Sequence, residues 1–196
     1  MLSEEMDRKG KERYERYQRE RKRVREAGID PADDDKLYEA WKDWNEIKTL
    51  IIANGGEEVP DKDPLYAVYK AIRKHCINGG FPPSMHLYFI PDDEQEANPG
   101  TLAVYKEFVI RINRKYYQKH GTDEDVINTM FHEMMHCKCY LNNKKDTEKE
   151  YHLPAFKEVC EENGGGCSFS NSVYGYSRAY LTPESLDKVR EELKGA

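Results

Sequence analysis

The chain has 196 residues, room for one domain of ordinary size with an appendage. Charged residues make up 35%, but 38% hydrophobic content with fourteen tyrosines and two tryptophans argues for a packed core and against disorder. The net charge of −6 is uneven: Arg8 to Arg25 carries ten Lys/Arg against Glu12, Glu15 and Glu20, a local balance of +7 that leaves the remainder strongly acidic. No stretch approaches the ~20 apolar residues of a membrane span, so no membrane partner is expected. "MLSEEMDRKGKERYERYQRERKRVREAG" has no apolar run of the kind a secretory leader needs, and the five cysteines are odd in number. The expectation is a cytoplasmic protein with reduced thiols, DNA-associated if the basic arm touches nucleic acid.

Residues 1–28 read as a charged helical arm that ends at Gly28, and residues 29–196 as one folded domain. From Asp35 the apolar positions Leu37, Trp41, Trp44, Ile47 and Ile51 keep helical spacing as far as "NGG". A second helix starts at Pro64 and places Leu65, Val68, Tyr69, Ile72 and Cys76 on one side. The two predict a helical hairpin over 35–78. The period then changes: "MHLYFI", "TLAVY" and "FVIRIN" are rich in aromatic and β-branched residues, which predicts strands within 85–113. Lys106-Glu107 is read as a tight reversal. Thr122 is placed to cap the next helix, with acidic residues in its first turn. Active-site helices are expected over 123–163, and a C-terminal strand and helix over 168–194, the last helix capped by Thr182 with Pro183 at its first position.

The chemistry is concentrated in "FHEMMHCKCYLNNKKDTEKEYHLPAF". On a helix His132 and His136 lie about 40° apart, so both imidazoles leave the same side. Val126, Met130, Met134, Cys137 and Leu141 gather around ~180° from His132. Two imidazoles on a rigid element with an apolar back are what a catalytic zinc site requires. Glu133 beside them is the candidate general base for a zinc-bound water. Two histidines leave such an ion one protein ligand short. His152, just before the helix start at Pro154, is the leading third ligand, with Glu158 or Glu162 on that second helix as rivals.

"HEMMH", a loop, then "HLPAF" resembles the SprT-like zinc metalloproteases, Spartan-type protease domains among them, from about the "FVIRIN" strand to Asn163. The resemblance implies one zinc ion held by His132, His136 and His152, a catalytic Glu133, and Phe156 as the family's packing phenylalanine. It also implies a small zincin-like α+β domain in which a mixed or antiparallel sheet of three or more strands packs on helices, with a sheet edge flanking the HExxH helix. Leu153 stands where the family usually has glycine. After the motif only Cys160 and Cys167 follow, without the paired cysteines of the family's zinc-binding subdomain.

Four further residues are candidates for oxyanion stabilisation or substrate contact: Tyr140, one turn after His136, and Tyr174, Tyr176 and Arg178 in the aromatic C-terminal stretch. Half-buried strand residues are the plainer reading of those last three. Cys137 and Cys139 are read as core, with no role assigned to Cys160 or Cys167. If "FVIRIN" is the edge beside the motif helix, an extended substrate pairs with it through its main chain. The leading function is a zinc endopeptidase acting on proteins or peptides, DNA-associated or DNA-crosslinked proteins among them, with the arm Arg8–Arg25 as the DNA contact. The alternatives are a peptidase dedicated to one partner such as a repressor, and a non-catalytic nucleic-acid-binding protein stapled by zinc.

Overall fold

The computed structural model describes residues 57–60, 62–79, 81, 86–89, 103–105, 109–114, 118, 123–149 and 151–195. The basic arm, the first helix of the expected hairpin, the Lys106-Glu107 reversal and Thr122 lie outside the described residues. No helix among the described residues is long and apolar enough to cross a membrane.

The fold is a small α+β arrangement. A first strand, β1 (Glu57–Glu58), leads into helix α1 (Pro64–His75). Asp63 caps that helix by accepting the Leu65 N–H at 3.0 Å, with Pro64 in the first turn, where its missing N–H costs nothing. Val68, Tyr69 and Ile72 on its inner side are buried, followed by Cys76 at its end.

Three strands follow: β2 (His86–Phe89), β3 (Ala103–Tyr105) and β4 (Val109–Ile112). With β1 they form a mixed sheet of order β1-β2-β4-β3, in which β2 and β4 run parallel and the other pairs antiparallel. The register sets Leu87 opposite Ile110 and Phe89 opposite Ile112, so four apolar side chains line one face and join the core. Strand β4, from the "FVIRIN" segment considered above as an edge beside the motif helix, is an interior strand. Its main chain bonds β2 on one side and β3 on the other, which leaves no ladder open to a substrate. The outer strands among the described residues are β1 and β3, and β3 packs against the next helix.

That helix, α2 (Asp123–Leu141), is the centre of the molecule and touches α1, β3 and the C-terminal elements. Met130, Met134, Cys137 and Leu141 are buried along its expected back. Ile127, Phe131, Met135 and Cys139 are buried as well, because neighbours cover it on more than one side. It ends in a Schellman motif. The Lys144 N–H reaches the Cys139 carbonyl and the Asn143 N–H the Tyr140 carbonyl, with Asn143 left-handed at φ 53°.

The connection that follows, expected as a loop, is a hairpin of β5 (Thr147–Glu148) and β6 (Tyr151–His152) with Lys149 left-handed at its turn. Helix α3 (Pro154–Glu162) comes next, then β7 (Gly165–Ser168) and β8 (Arg178–Leu181), an antiparallel pair, and finally α4 (Pro183–Lys194). Thr182 caps α4 through the Ser185 N–H at 3.3 Å, as its sequence predicts. The "GGG" run that follows α3 opens β7. A Cβ on Gly165 would lie 2.4 Å from the Phe131 ring of α2, so only glycine lets this strand close on the central helix. The aromatic stretch 169–177, expected to be strand, is a loop between β7 and β8.

Candidate metal centre

His132 and His136 leave α2 one turn apart, and β6 delivers His152 from the other side of the hairpin. Their Nε2 atoms converge: 3.0 Å between His132 and His136, 3.2 Å between His132 and His152, and 3.3 Å between His136 and His152. Three lone-pair-bearing nitrogens at such distances repel unless a proton or a cation lies among them. The triangle they define has its centre about 1.8 Å from each nitrogen. That spacing is close to the roughly 2.0–2.1 Å zinc–imidazole bond length, so the three nitrogens would suit one such ion as ligands. Among the described residues, this triad is the one group of His, Cys, Asp or Glu whose ligand atoms gather closely enough to hold a metal ion.

Each ring is held from behind. Nδ1 of His136 lies 2.6 Å from a carboxylate oxygen of Asp146, and Nδ1 of His152 lies 3.1 Å from the Tyr174 carbonyl. His132 bonds the main chain of Ser177. A carboxylate or carbonyl behind the Nδ1–H fixes the tautomer with the proton on Nδ1 and turns the Nε2 lone pair toward the centre. Burial lowers the His132 pKa well below 6.5, and the charges His136 and His152 would carry lower it further, so the ring is neutral and ready to ligate near neutral pH. Asp146 is pushed up by burial, but its hydrogen bond to His136 and that ring's charge outweigh this and hold it below the ordinary carboxylate value.

Phe156, fully buried at the first turn of α3, forms the floor. Its ring centroid is 4.6 to 4.9 Å from all three imidazoles. Leu153, in the position of the family's glycine, has φ −78° and ψ 162°. This is ordinary extended backbone, so a side chain there strains nothing. Glu133 is buried on α2 beside His132. The rivals for third ligand point elsewhere: Glu158 and Glu162 are exposed and pair with Lys144 at 3.6 and 3.3 Å.

A family model for the SprT-like family matches residues 67–174, which covers most of α1, strands β2 to β4, the triad and its hairpin. The chain belongs to the SprT-like family. That family is of metallopeptidase type, and the three histidines of this SprT-like chain could hold its metal. No curated protein and no solved structure matches the chain.

The remaining sequence candidates meet the site in different ways. Tyr174 does so through its backbone: its carbonyl accepts both the N–H and the Nδ1 of His152, while its side chain is exposed. The Tyr176 N–H returns a bond to the His152 carbonyl, and its ring lies under Lys157. Tyr140 packs against the core one turn beyond His136. Arg178 is exposed on β8 opposite Ser168. Asp146 and the main chain of 174–177 are functional parts that sequence reasoning missed. A carboxylate behind a ligand histidine is a general expectation. However, Asp146, Glu148 and Glu150 all stand in that segment, and only the hairpin register selects among them.

Proposed function

We propose that this SprT-like chain is a zinc-dependent endopeptidase in which His132, His136 and His152 hold one ion and Glu133 is the general base. The observation that carries this reading is the convergence of three Nε2 atoms, each ring fixed from behind, beside a buried glutamate on the same helix. Zinc in that position would supply Lewis acidity, bringing the pKa of a coordinated water toward ~7. Glu133 takes the proton of the attacking water and later passes it to the leaving amine. Phe156, fully buried against all three rings, keeps water from the side of the triad that it covers. An extended polypeptide adding to the β3 edge through its main chain would reach α2 with little dependence on sequence. The +7 arm at residues 8–25 supports proteins bound or crosslinked to DNA as substrates.

The test is cleavage of a basic DNA-binding protein by the zinc-loaded chain, with and without single-stranded DNA, against Glu133→Gln. Expected are cleavage that DNA stimulates and a Glu133→Gln protein that keeps its zinc but does not cut. Cleavage persisting in Glu133→Gln removes that residue as base. Cleavage indifferent to DNA removes the DNA part of the reading alone.

A further inference from the structure

The loop between β7 and β8 does two things at once. Its main chain holds the metal-facing rings, through Tyr174 to His152 and through Ser177 to His132. Its side chains carry the described surface's exposed large hydrophobics: Phe169 at 52%, Val173 at 55% and Tyr174 at 46%, with Tyr180 just beyond on β8 at 44%. Apolar groups this exposed, gathered in one segment whose main chain bonds two of the three rings, mark a binding surface.

The loop is also stiff. Asn171 accepts the N–H groups of Val173 and Tyr174 through its side chain, both at 2.9 Å. The Ser170 N–H reaches the Gly175 carbonyl at 2.7 Å, and the Gly175 N–H reaches the Asn171 carbonyl at 2.9 Å. Gly175 sits at φ 61°, where a Cβ would lie 2.4 Å from the His152 carbonyl, so the loop is drawn tight against the third histidine. At the base Phe169 meets Tyr176 edge to face at 5.6 Å, and Lys157 caps the Tyr176 ring. Val173 and Tyr174 are therefore presented to solvent by a preorganised tip, a state that costs little further ordering when a ligand binds.

We infer that this tip is a substrate subsite: Val173 and Tyr174 dock an apolar or aromatic side chain of an extended polypeptide close to the peptide bond being cut. The inference rests on the peptidase reading and adds to it the class of side chain selected. Position supplies the argument for the occupant. The tip is bonded directly to the His152 ring, so a chain that reaches the centre passes against it. At ~3.3 Å per residue an extended chain brings a side chain within one or two residues of the reacting bond into contact. Exposed apolar side chains belong to unfolded polypeptides more than to folded ones, which agrees with a protease that acts on disordered segments.

The test uses the full chain carrying Glu133→Gln, loaded with zinc, and binding of fluorescein-labelled twelve-residue peptides that differ only by Phe or Ser at the central positions. The Phe peptide should bind about tenfold more tightly. Adding Val173→Ser and Tyr174→Ser should erase that preference at unchanged zinc content, because the Tyr174 carbonyl remains. Tyr180→Ser should preserve it. Three results overturn the inference: no preference between the peptides, a preference that survives the double variant, or a double variant that loses binding of a labelled single-stranded oligonucleotide and leaves the peptide preference intact. Cleavage of the same peptides by the chain with Glu133 restored tests the peptidase reading separately, since binding preference is read without turnover.

Discussion

Asp146 holds His136 with its side chain and the neighbour of His152 with its backbone. Its carboxylate lies 2.6 Å from Nδ1 of His136, and its carbonyl accepts the Leu153 N–H at 2.7 Å. One residue just before β5 thus ties His136 and the neighbour of His152 to each other. Asp146→Asn keeps the backbone bond and the side-chain shape while removing the charge that makes the imidazole a better donor. Zinc affinity should fall about 10- to 100-fold, read by competition with a chromophoric chelator, with the circular dichroism of the zinc-loaded protein unchanged.

Phe156 is fully buried beneath the three rings. Truncation to alanine leaves a cavity at the base of the site and should destabilise the fold by about 3–5 kcal/mol. Urea denaturation of the zinc-free protein checks this. Phe156→Leu should cost clearly less, because it returns most of the lost volume.

The zinc-free protein should weaken in mild acid. Burial and the neighbouring imidazoles place the folded-state pKa of His132 below its unfolded value of about 6.5, so the unfolded chain binds the proton more readily. The stabilising effect is complete above about pH 6.5 and is lost as pH falls from there through the folded-state value. Urea midpoints measured at pH 7.5, 6.5 and 5.5 should therefore decline in that order. Asp146, held below 3.8, keeps its own contribution until pH drops under about 4. The two effects separate along the pH axis, and a midpoint flat between pH 7.5 and 5.5 would contradict the neutral, half-buried His132.

All five cysteines are free and buried. Burial pushes the Cys76 thiol up to about 11 and the Cys139 thiol up to about 12. Cys167 goes the other way, because the Cys160 thiol hydrogen-bonds to it and favours its thiolate. A colourless aromatic disulfide that releases a yellow thiolate should detect all five thiols in denaturant. In native protein at pH 8 it should react slowly, with Cys167 first. Peptide mapping after partial labelling identifies the site, and early labelling of Cys139 would argue against its burial.

Much of the centre was legible because it is local. His132 and His136 share a helix face by arithmetic, and Pro154 and Thr182 announce their helices wherever the rest of the chain goes. His152 was legible as the histidine nearest a helix start. What could not be read depends on register between distant segments. Nothing in "FVIRIN" says that "TLAVY" flanks it on one side and "MHLYFI" on the other, so its interior place in the sheet was hidden. Leu153 looked like a departure until its φ showed that no glycine is required there. The aromatic run 169–177 has the composition of a strand, but Asn171 and Gly175 draw it into a loop through bonds that only a folded chain makes.

Two of the three ring anchors are peptide groups, those of Tyr174 and Ser177. A side-chain substitution does not remove a carbonyl, so an alanine scan of 172–178 would pass over both anchors and find Gly175 the sensitive position. The segment is constrained in length more than in composition. Many residues can occupy the tip, but inserting or deleting a single one would move both carbonyls off their imidazoles at once. On the subsite reading, substrate preference at this tip is free to drift by point mutation, while the spacing that holds the two imidazoles stays put.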